Sequence, residues 1–140
     1  MNAERKHLVL ESWQSVAADH DRIASAFYER LFEIDPHARD LFVRTNMVDQ
    51  RLKVTTMLGD IVANLDQLDQ LIPTLGALGR RHRGYGVQDA DYDRVREALL
   101  GAIGATLGER FTREVRNAWE EAYALTASVM RRAGDTPAPA

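Results

Sequence analysis

An all-α domain of about seven helices is what this sequence predicts, on three observations. Apolar residues recur every third or fourth position almost end to end, the period of a helix with one buried face. Alternating strand-like runs joined by hairpin signals are absent. Short polar breaks such as "AADHD", "DQLDQ" and "LGERFT" separate the apolar runs, as turns between packed helices do.

The first helix is expected over about Ala3 to Ala18, carrying Leu8 and Trp13. The second places Ile23, Phe27 and Leu31 at i, i+4 and i+8. "DPHARDLF" gives a short third helix with Asp35 as its cap and Pro36 at the first position, where a missing N–H costs nothing. It ends near Phe42, and "VRTNMVD" reads mostly as loop. The fourth runs from about Val48 to Leu65, with Val54, Met57, Leu58, Ile61 and Leu65 on one stripe. Pro73 opens the fifth, which carries Leu75 and Leu78 and stops at Gly84 and Gly86. Asp89 is the expected cap of the sixth, whose apolar line is Val95, Leu99 and Ile103. The last spans about Arg113 to Arg132.

The 140 residues suit one domain, placed at 1–133, with "GDTPAPA" (134–140) as an expected disordered tail. No repeat or linker divides the chain. A net charge of −3 lacks the basic footprint of a nucleic-acid binder. The absence of cysteine excludes disulfides, thiolate metal sites and a cysteine nucleophile. "MNAERKHLVLESW" has charges within its first residues and no signal-like apolar stretch. No window approaches the ~20 apolar residues of a membrane span. The expectation is a cytoplasmic protein with no membrane partner.

Among the four histidines, His82 stands apart. It lies seven residues after Leu75 and four after Leu78, on the apolar line of its own helix. Arg81 and Arg83 flank it. From the residues alone it is either a hydrogen-bonded core histidine or a metal ligand. No second histidine follows at i+4, so a helical zinc motif is not available. His7, His20 and His37 read as surface residues. A lone histidine among apolar residues does suit haem, which brings four nitrogen ligands of its own.

Such a pocket needs an apolar wall and a polar distal side. Gln50, Val54, Met57, Leu58 and Ile61 share one helical face, and Tyr28 lies beside the Phe27 line. Each has an ordinary alternative: Gln50 facing water in a first turn, Tyr28 at the rim of the core.

Taken together, "AFYERLF" (26–32), "ARDLF" (38–42), "DQRLKV" (49–54), "LGRRHRGYGV" (78–87), "DYDRV" (91–95) and "AWEEAY" (118–123) resemble the globins. The likeness is to the single-domain bacterial globins and the globin part of flavohaemoglobins, and "LGRRHR" is similar to neuroglobin. His82 falls 32 residues after Gln50, in keeping with the family's spacing. The resemblance implies a globin fold around a haem pocket holding haem b (iron protoporphyrin IX). It makes His82 the iron ligand and Phe42 the residue packed on the haem face. Tyr28 and Gln50 match the distal tyrosine and glutamine, and Val54 the apolar distal residue. Val87 and Val95 would line the proximal side, and Tyr92 matches a tyrosine that braces the proximal histidine. Lys53, Arg81 and Arg83 are candidate partners of the propionates, on charge and side alone. The family's bracing glutamate falls at position 134, which is Gly134 here, so peroxidase-like activation of ligand is in doubt.

The implied function is reversible binding of dioxygen, with nitric oxide and carbon monoxide as further gas ligands. A nitric oxide dioxygenase working with a separate reductase is the alternative, so whether the protein is an enzyme stays open. A haem-free globin-fold sensor is the third reading. Whether Gln50 itself coordinates the resting iron also stays open.

Overall fold

Helices begin and end in this chain where side chains take over the unpaired backbone groups. The structure, a computed structural model, describes residues 1–84 and 88–135, with side chains to 132. Helix α1 (Ala3–Ser15) starts on Asn2, whose side chain accepts from the Arg5 amide at 2.8 Å. It ends three residues before the predicted Ala18 because a short 3-10 turn, Ala17–Asp19, follows. His20 explains the early stop. Its Nε2 donates to the Trp13 carbonyl at 3.0 Å, and its ring stacks on the Trp13 indole at 3.7 Å. His20 is therefore half-buried and caps a helix end, which corrects its reading as a surface residue. His7 and His37 are exposed as expected.

Helix α2 (His20–Ile34) buries Ile23, Ala24, Phe27, Tyr28 and Leu31. The predicted short third helix is present as a 3-10 helix, Pro36–Phe42, with the Asp35 side chain accepting from the His37 amide. Helix α3 (Met47–Ala63) starts on Asn46, which accepts from the Val48 and Asp49 amides at 3.0 and 3.3 Å. A 3-10 turn, Leu68–Leu71, leads into α4 (Ile72–Gly84). Helix α5 (Asp89–Leu107) is capped by Gln88, one residue before the predicted Asp89. The reason is reciprocal bonding: Gln88's side chain takes the third helical amide while its own amide donates to Asp91 Oδ2 at 2.8 Å. Gly108, with a φ of +59°, ends α5 in a conformation that favours glycine. A 3-10 turn, Gly108–Arg110, precedes α6 (Arg113–Asp135), where Thr112 Oγ1 accepts from the Val115 amide. The seven predicted helices are all present among the described residues. Helix α6 continues through Asp135. Residues 136–140 of the expected tail lie outside the described residues.

The core forms where α2 crosses α5 and α1 crosses α6. Trp13 and Trp119 meet edge to face at 6.2 Å, and Trp119 Nε1 donates to Ser12 Oγ at 2.9 Å, which leaves the buried indole satisfied. Helix α4 packs on α6 through Leu75, Gly76 and Gly79, all buried. Helix α3 packs on α2 and α1. Helices α3 and α4 scarcely pack on one another. The helices that carry Gln50 and His82 are thus each held from behind by other helices. No described helix is long and apolar enough to cross a membrane.

Candidate functional site

Tyr28 is the best-fixed side chain of the site. Helix α2 turns Phe27 and Tyr28 inward at successive positions, and Tyr28 is only 6% exposed. Its ring meets Phe27 at 4.9 Å, Phe42 at 5.4 Å and Phe32 at 6.0 Å. Three phenylalanines therefore hold one phenol in a fixed direction. Phe32 is an addition to the residues the sequence points to, and its i+4 spacing from Tyr28 is the signal that finds it. Arg39 lies over the Phe32 ring at 5.4 Å and covers this cluster from outside.

The polar end of Tyr28 meets α3. Gln50 Nε2 donates to Tyr28 Oη at 3.0 Å, so Gln50 faces inward in its first turn rather than to water. Because the phenol oxygen accepts from Gln50, the phenol proton is left to donate to a third group. Burial raises the Tyr28 pKa above its ordinary value, against a smaller opposing effect of the Gln50 bond. The group is a neutral donor at physiological pH. Val54, one turn after Gln50, packs half-buried against the core, as do Leu58, Ile61 and Phe42. Lys53 is exposed.

His82 lies elsewhere, on α4. Its helix turns Leu75, Gly76 and Gly79 to α6, and His82 stands at the flank of that buried arc, half-buried beside Leu78. Burial lowers its pKa below the ordinary value, and the charge of Arg81 lowers it further. The imidazole is therefore neutral at pH 7, with a ring nitrogen lone pair free for a metal. Arg81 and Arg83, both exposed, diverge. Arg81 acts on His82, while Arg83 lines a cavity with Tyr92 and Arg131.

The structure thus brings Tyr28, Phe42 and Gln50 together and puts His82, with Arg81, on a separate helix. Val95 packs half-buried against the core from α5. Val87 lies outside the described residues. Tyr92 is half-buried and tied to α6: Tyr123 Oη donates to its carbonyl at 2.6 Å, and the Arg131 guanidinium lies 4.3 Å over its ring. The side chain on Tyr92 is a cation, where the resemblance implies a carboxylate. Their contacts with Tyr92 carry no local signal, since Tyr123 and Arg131 reach it from the far end of the chain.

The donor set fits haem. The described residues contain no cluster of three or more His, Cys, Asp or Glu that could hold a metal. They do contain the neutral imidazole of His82, a partly buried apolar stripe on α3 (Val54, Met57, Leu58, Ile61) and two helices that do not close on each other. A macrocycle that brings its own four nitrogens needs only these.

Fold and site together define a helical protein with a buried tyrosine–glutamine pair on α2 and α3 and a neutral histidine on α4. The chain belongs to the globin family, whose profile matches residues 25–130. It is 33% identical to the flavohemoprotein of Bacillus subtilis (strain 168), across 85% of this chain and 31% of that protein. It spans, that is, only about a third of that relative. It is 34% identical to the anaerobic nitrite reductase NSHB5 of Oryza sativa subsp. indica, across 91% of both chains. It is 29% identical to neuroglobin of Dissostichus mawsoni, across 93% of this chain and 90% of that one. The crystal structure of a hexacoordinated haem protein from an anhydrobiotic tardigrade shares the fold, with a TM-score of 0.81 at 20% identity over 95% and 94% of the two chains. These relatives are haem proteins by family or by name, which supports haem binding here.

Proposed function

We propose that the chain holds haem b through His82 and binds dioxygen reversibly, with nitric oxide and carbon monoxide as competing ligands. The observation that carries this reading is the Gln50-to-Tyr28 hydrogen bond at 3.0 Å. It leaves a buried, neutral phenol with a proton to give. Haem, when bound, supplies a ferrous iron that takes a diatomic gas. His82 offers a neutral nitrogen on one side, and Phe42, Val54 and Leu58 offer an apolar wall that excludes water. Tyr28 would donate a hydrogen bond to the bound gas, and Gln50 would hold the phenol in register. A hydrogen bond to a partly charged acceptor is worth roughly 1.5–3 kcal/mol, about ten- to a hundredfold in affinity. Tight binding with slow release follows. Arg81 and Lys53 are the candidate propionate partners, and Val95 and Val87 the proximal wall. Exposing the reduced, haem-loaded protein to dioxygen tests the reading. A reversible spectral change with slow release supports it, and immediate oxidation without a dioxygen-bound spectrum contradicts it.

Nitric oxide dioxygenation is the second reading, favoured by the likeness to a flavohemoprotein. Nitric oxide is oxidised to nitrate by dioxygen, and one electron per turnover must come from a separate reductase. The cation over Tyr92 in place of a bracing carboxylate weighs against it. Nitrate production that stops at one equivalent per haem, with a generic reductase present, rules it out. Nitrite consumption belongs in the same assay, given the name of the Oryza sativa relative.

A further inference from the structure

A second polar site lies where the end of α4, the start of α5 and the last turns of α6 meet. It is a cavity of about 270 Å³ whose polar lining includes Arg83, Gln88, Asp89, Tyr92 and Arg131. Arg131 is the informative member. Its guanidinium is laid on the Tyr92 ring at 4.3 Å, and Nη2 donates to the Asp89 carbonyl at 3.2 Å. Its Nε is buried and makes no hydrogen bond. Asp89 Oδ1 makes a long ion pair with that nitrogen at 3.9 Å, on a side chain that is 90% exposed. That distance is too long for a hydrogen bond, and the exposed charge is screened by water.

A covered cationic N–H without an acceptor is costly, although the Arg131 side chain as a whole is 36% exposed. An oxyanion in the cavity would meet the exposed part of that guanidinium and offset part of the cost through its charge. Stacking on Tyr92 fixes the plane of the Arg131 fork in advance, which suits a group with two oxygens. Gln88 spends its side-chain oxygen on the Asp91 amide, which leaves its NH₂ to donate. Arg83 lies at the same lining. We propose that this cavity binds a small anion through a carboxylate or phosphate group. Arg83 follows His82 directly on α4, so the bound anion would brace the helix that carries the histidine.

The test is a backbone-amide NMR titration of the purified protein, with any haem held as its carbon monoxide complex. Inorganic phosphate and succinate are added separately at low ionic strength, with sodium chloride as the control. At least one of the two should shift the amides of Asp89 to Tyr92 and of Met130 to Arg132 saturably, and the tighter of the two identifies the class. Arg131→Gln should weaken that binding at least tenfold. Asp89→Asn, which removes a competing carboxylate, should tighten it severalfold. Shifts that never saturate or that sodium chloride reproduces overturn the proposal. So does an affinity unchanged in Arg131→Gln, or one that Asp89→Asn leaves equal or weaker.

Discussion

Tyr28 shows how a single residue is set to one task. Phe27, Phe32 and Phe42 fix its ring, and Gln50 fixes its hydroxyl. Tyr28→Phe keeps the ring packing and removes the donor. Dioxygen release should then speed up about ten- to a hundredfold, read by stopped-flow mixing of the dioxygen complex with excess carbon monoxide. Burial also raises the Tyr28 pKa, so the phenol keeps its proton as the solution is made alkaline. The wild-type release rate should accordingly stay flat between pH 7 and 9, and a rise across that interval would mean that another, more acidic group is the donor. At this scale the sequence was readable only in part. Tyr28 and Gln50 stood out through their resemblance to a family pattern, because helical phase alone left both with ordinary alternatives. Phe32 sat in plain view at i+4. Arg131 and His20 did not, because each acts on an aromatic ring outside its own helix.

Helices are the most legible part of the chain, since each buried face repeats with a period the sequence displays. Their ends are less so. Asp89 looked like a cap, but Gln88 takes that place because it and Asp91 satisfy each other's backbone amides. Helix α1 stops early because a histidine five residues beyond Ser15 claims the Trp13 carbonyl. Asn46 shows what a cap contributes here. It accepts from two amides at the start of α3, one turn before Gln50. Asn46→Ala should destabilise the fold by about 1 kcal/mol, in the ~0.5–2 kcal/mol range of such caps, measured by chemical denaturation. It should also loosen the first turn that holds Gln50, so a modest rise in dioxygen release should accompany it.

At the scale of the whole molecule, the central feature is the separation of α3 from α4. Each is packed on other helices, α3 on α2 and α1, α4 on α6. The apolar stripe of α3 is only partly buried, so a flat apolar ligand that covers the rest of it adds stability. Haem loading should therefore stabilise the native chain by linkage. At a free haem concentration a hundredfold above the dissociation constant the gain is about 2.7 kcal/mol, visible as a higher thermal midpoint than that of the haem-free protein. The two-sided arrangement was foreseeable as a family likeness but not from periodicity, which reports which face of a helix is apolar and not what that face meets.

The claim on which the rest depends is that His82 is the ligand that holds the iron. Its neutral imidazole stands on the apolar side of α4. The direct measurement is the Soret absorbance of wild type and His82→Ala, each titrated with haem and then reduced under carbon monoxide. Wild type should saturate at one haem per chain and give a carbon monoxide spectrum, while His82→Ala should retain haem poorly and recover its spectrum when imidazole is added. A variant that takes up one haem as tightly as wild type, with the same spectra and no response to imidazole, would contradict the account.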